Sequence, residues 1–110
     1  MALYLVVRHQ KAPQQTFHNI WMDDELLTSI QTTLEVGELC RQEMNLNHVV
    51  YIHRCGYLDY PPVICCSVHI TDVEEIGGWI IVKFGNQTPL DFTPPVPPVQ
   101  GQNNYFAPPP

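Results

Sequence analysis

Basic residues are scarce. Five lysines and arginines stand against 11 aspartates and glutamates, giving a formal net charge of −6 and a pI near 5.1. Duplex DNA is held mainly through its phosphates, so this balance excludes a general duplex-DNA binder. It also removes electrostatic docking on anionic membranes. Charged residues of both signs make up only 15% of the chain and hydrophobic ones 45%, a composition that supports a packed core rather than wholesale disorder. No apolar run approaches the length of a membrane span, and the opening MALYLVVRHQ has no basic stretch ahead of its apolar segment. Neither a spanning helix nor an export signal is expected, and the expected location is cytoplasmic. At 110 residues the length allows one domain.

Motifs that carry chemistry are also missing. The four cysteines, Cys40, Cys55, Cys65 and Cys66, form no Cys-x₂-Cys knuckle. Without an export signal, a structural disulfide is not expected either. Gly77-Gly78 has no P-loop lysine behind it, and Cys55-Gly56-Tyr57 is not a nucleophile elbow. The sequence therefore names no catalytic residue and no cofactor.

What is present is an alternation of apolar runs. ALYLVVRH (2–9) is short and β-branched, and reads as a strand. Residues 10–22 read as a loop pinned by Phe17, Ile20 and Trp21. Asp23 and Asp24 then precede Leu26, Leu27, Ile30 and Leu34 at helical spacing. Thr32 with Glu35 fits a capping box that would restart a helix burying Val36, Leu39, Cys40 and Met44. Asn45 or Asn47 would end that helix, and Gly37 should weaken it. HVVYIHRCGY (48–57), VICCSVHIT (63–71) and WIIVKF (79–84) read as three antiparallel strands. The expectation is an α+β domain over residues 1–87. It has a small, mainly antiparallel sheet of about four strands with one or two helices on one face; a half-open barrel is the competing arrangement.

Eight of the 11 prolines lie between Pro89 and Pro110. Proline lacks the N–H that helices and central strands need, so residues 88–110 read as a flexible, polyproline-prone tail. Within it, Pro94 and Pro97 belong to overlapping PxxP patterns, and Tyr105-Phe106 precedes a triple proline. These four residues are candidates for contact with a partner protein. No lysine or arginine flanks them between residues 84 and 110.

Two constellations could hold a ligand. Arg8, His9, His53 and Arg54 sit near the ends of two strand runs and include two of the three arginines. If those ends are neighbours, they make one cationic pocket for a small anionic ligand or an acidic partner side chain. The second is a low-ranking metal set, His53, Cys55, Cys65 and His69, assembled across a hairpin with residue types that suit zinc. The expected function is a non-enzymatic binding or interaction module for a protein partner or a small anionic ligand. The alternatives are a small phosphate-handling enzyme on the same Arg/His cluster and a Cys/His metal protein. Exposed sheet edges make a homo-oligomer an expectation too.

Overall fold

The computed structural model describes residues 1–7, 29–55, 62–96, 99 and 101–110. β1 (Ala2–Val7) is an apolar run whose alternate side chains serve two different cores. Leu3, Leu5 and Val7 point to one face of the sheet, and Tyr4 and Val6 to the other. After it come β2 (Ser29–Thr32), α1 (Leu34–Asn45), β3 (Val49–Arg54), β4 (Val63–Ile76), β5 (Trp79–Phe92) and β6 (Asn104–Ala107). The six strands form one curled, half-barrel sheet in the order β2-β5-β4-β3-β1-β6. All neighbours are antiparallel except β1 and β3.

The sheet-dominated α+β expectation holds, and so does the β3-β4-β5 meander. The strand count was too low. Ser29–Thr32, placed by periodicity in a helix, pairs with Ile80–Lys83 of β5 as an edge strand. Among the described residues there is one helix. Its N-cap is Thr33, one residue later than the expected box, and its hydroxyl accepts from the Val36 amide at 3.3 Å. It ends at a left-handed Asn47 (φ 55°). No described helix is long and apolar enough to cross a membrane.

α1 lies on β4 and β5. It covers the larger core, which includes Val36, Cys40, Val50, Ile52, Val68, Ile70, Ile80 and Val82. Each side chain of Val or Ile size buried there contributes about 1.5–3 kcal/mol. Gly37 meets Ile80 at this contact. A β-carbon on Gly37 would fall 2.6 Å from Ile80 Cγ2, so the glycine sets the distance between helix and sheet.

A glycine turn at one end of β4 and a bulge toward the other shape this long strand. Gly77 and Gly78 both have positive φ (58° and 84°), which suits a two-residue turn matched to strand twist. At the other end, Ile52 pairs with Cys66 and His53 with Ile64, so the register passes over Cys65. This bulge shifts Ile64 to the smaller core. Cys65 and Cys66 both remain in the larger one, although strand alternation would separate them. Cys65 Sγ donates to the Ile52 carbonyl at 3.4 Å.

The stretch read as a flexible tail contains two strand segments. β5 continues to Phe92, and β6 pairs with β1 through Ala2–Ala107, Leu3–Phe106, Tyr4–Tyr105 and Leu5–Asn104. Tyr105 and Ala107 are buried in the smaller core with Tyr4, Val6 and Ile64.

Candidate functional site

Parallel pairing sets Val7 opposite Arg54, so β1 and β3 end side by side. Arg8 and His9 lie outside the described residues. The two remaining members of the cationic set part company, because neighbours on a strand face opposite ways.

His53 is fully buried on the Tyr4/Tyr105 side. Its Nδ1 is 2.7 Å from the Tyr105 hydroxyl, and the two rings meet edge to face with centroids 5.5 Å apart. Burial pushes its pKa below the ordinary 6.5, and Nε2 is buried without a partner among the described residues. Tyr105 stacks on Tyr4 at 4.9 Å, Tyr4 stacks on Tyr51 at 5.2 Å, and the Tyr4 hydroxyl donates to the Pro108 carbonyl at 2.6 Å. Burial, with Tyr4 and Cys55 nearby, raises the pKa of the Tyr105 phenol. His53 is therefore an internal anchor for β6 and not a wall of a solvent-facing pocket.

Arg54 is half-buried and lines a cleft of about 430 Å³ with Pro62, Val63, Asp91, Phe92 and Thr93. Strand register builds this cleft, since Val63 pairs with Arg54 and Phe92 with Ile64. It offers a guanidinium, a carboxylate and a hydroxyl beside an aromatic ring.

The metal set does not assemble. Cys55 packs on the smaller core and Cys65 in the larger one. His69 pairs with Val49, four residues from His53 along β3, a separation of about 13 Å. Among the described residues no group of three or more His, Cys, Asp or Glu side chains could hold a metal ion. Burial, with a smaller contribution from Glu43, pushes the Cys40 thiol up to about 12. Burial, followed by the Cys66 thiol, also raises Cys65. Both stay protonated, as core thiols do.

Of the four tail candidates, Tyr105 is turned inward, which corrects its reading as a free contact residue. Phe106 remains exposed, Pro94 is half-buried, and Pro97 lies outside the described residues.

Sequence reasoning missed one pair. Glu43 is buried at the end of α1, and His48 Nδ1 donates to its Oε2 at 2.6 Å. The loop between them is closed by the Leu46, Asn47 and His48 amides donating to Gln42, Met44 and Glu43. The pair lines a second cavity of about 210 Å³ with Tyr51 and Val49. A signal existed, because the helical period through Val36 and Cys40 reaches Glu43. The geometry is that of a carboxylate holding an imidazole at a helix end.

No family model, curated protein or solved structure matches the chain.

Proposed function

We propose that this chain is a small non-enzymatic binding module that receives an anionic group in the Arg54 cleft. The observation that carries the reading is the position of Arg54 in the wall of that cleft. A guanidinium presents a planar donor fork matched to carboxylate or phosphate. Thr93 can add a hydroxyl donor, and Phe92 and Val63 give an apolar wall. Asp91 on the same cleft disfavours a bare dianion and favours a ligand whose anionic group sits next to a hydrogen-bond donor. A small phosphorylated or carboxylated molecule meets that description, as does an acidic side chain of a partner protein. The phosphate-handling enzyme alternative lacks support: no histidine lines this cleft among the described residues, and His53 is enclosed on the other face.

The test is a titration of ¹⁵N-labelled chain with phosphoserine and with acetate, followed by amide shifts. Saturable shifts should gather at Arg54, Val63 and Thr93, and Arg54→Gln should abolish them with the rest of the spectrum unchanged. Absence of saturable shifts at these residues in the unsubstituted chain would end this reading.

A further inference from the structure

Among the described residues β6 is held by one neighbour, β1, through a four-residue ladder extended by the Val6 amide donating to the Asn103 carbonyl at 2.9 Å. Two inward side chains, Tyr105 and Ala107, fill the smaller core, and Tyr4 reads the Pro108 carbonyl. This is the grammar of strand addition, in which main-chain bonds give affinity and alternate side chains give selectivity. Here the added strand comes from the chain itself.

The connection to it is residues 93–103. The chain enters β6 through a turn in which the Gln102 amide donates to the Val99 carbonyl at 2.9 Å and the Val99 amide to Gln102 Oε1 at 2.8 Å. Gly101 carries φ +83° in this turn, a value that suits glycine at the third position of a type II turn. β5 and β6 lie four places apart in the sheet, a crossing of about 19 Å. An 11-residue connector rich in proline reaches about 34 Å when extended. With the turn open, it is long enough to carry β6 past its own β1.

We propose that β6 is an exchangeable strand and that a second copy of this chain accepts it, so that each β1 edge in a dimer holds Asn104–Pro108 of its partner. Every contact at the edge is the same in the closed and exchanged forms, so the balance rests on the connector and on concentration. A connector of this length supplies an effective concentration in the mM range, which places exchange toward the upper end of accessible protein concentrations. The closed form needs a left-handed residue at Gly101. A β-branched residue there penalises the turn and shifts the balance toward exchange.

The experiment uses the full chain. Sedimentation velocity from about 10 µM to about 1 mM should show a dimer growing with concentration. Gly101→Val should raise the dimer share at fixed concentration by about tenfold. In a mixture of ¹³C-labelled and unlabelled chains, isotope-filtered spectra of the dimer should show intermolecular contacts between the rings of Tyr4 and Tyr105. A monomer throughout, for both the unsubstituted chain and Gly101→Val, overturns the proposal. So does a dimer that lacks the intermolecular Tyr4–Tyr105 contact.

Discussion

His53 and Tyr105, 52 residues apart in the chain, meet through a 2.7 Å hydrogen bond inside the smaller core. That contact makes the C-terminal strand part of the fold. It also predicts what removing a single oxygen should do. Tyr105→Phe keeps the ring stacked on Tyr4 and leaves His53 Nδ1 buried without its partner, a loss of about 1–3 kcal/mol. Tyr105→Ala removes the ring as well and should cost about 3–5 kcal/mol. Urea unfolding measures both, and an unchanged denaturant slope would show that the unfolded reference is the same. Equal stability of Tyr105→Phe and the unsubstituted chain would mean that the hydrogen bond contributes nothing.

The same histidine should make stability depend on pH. Its folded pKa lies below 6.5 because burial opposes the charged ring. As pH falls through 6.5, the unfolded chain takes up a proton that the folded chain refuses, so stability is lost until the folded pKa is reached. Above 6.5 the contribution is fully present. His53→Gln removes it, so the loss between pH 7.5 and 5, about 1 kcal/mol or more for each unit of downward shift, should be larger in the unsubstituted chain. Both chains keep the other histidines, so their contributions cancel in the comparison. Parallel stability–pH curves would contradict a depressed His53.

Gly37→Ala ordinarily strengthens a helix. Here the added carbon meets Ile80 Cγ2 at 2.6 Å, and overpacking of that kind costs about 1–3 kcal/mol. Ile80→Ala, which clears the space, should make Gly37→Ala less harmful, so the two changes should couple in a double-mutant cycle. Additive effects would place the cost elsewhere.

In the Arg54 cleft, Asp91 opposes an anionic guest that brings no hydrogen-bond donor. Asp91→Asn should tighten acetate binding by about two- to fivefold, the effect of one screened charge at a partly hydrated site. Titration of the two chains at equal ionic strength decides this. Weaker acetate binding to Asp91→Asn would contradict this repulsion.

Much of the fold was legible where the signal is local. A short β-branched apolar run, ALYLVV, marks β1, and alternation in HVVYIHR and VICCSVHI marks β3 and β4. Asn45 and Asn47 both marked the helix end because asparagine tolerates positive φ, and Asn47 is the one that adopts it. What escaped was decided at long range. Ile30 and Leu34 fit a helix equally well, but Ser29–Thr32 gains an edge ladder on β5, and tertiary pairing overrides a four-residue preference. Tyr105 sits among prolines with no neighbour to reveal that its ring belongs on Tyr4. The bulge at Cys65 undid the alternation on which the metal set relied, since one unpaired residue moves everything beyond it to the other face. The cationic pocket failed at His53 for a simpler reason: adjacent strand residues cannot share a wall.

The order of strands across the sheet also bears on how the molecule is made. β1, translated well before β6, ends up between β3 and β6, so its second flank stays open until residues past 103 have left the ribosome. Until then the newborn chain carries an unfinished margin and a Tyr4 ring that lacks its Tyr105 neighbour. Contacts this remote in sequence close slowly, so the margin of the sheet at β1 waits on the late arrival of β6.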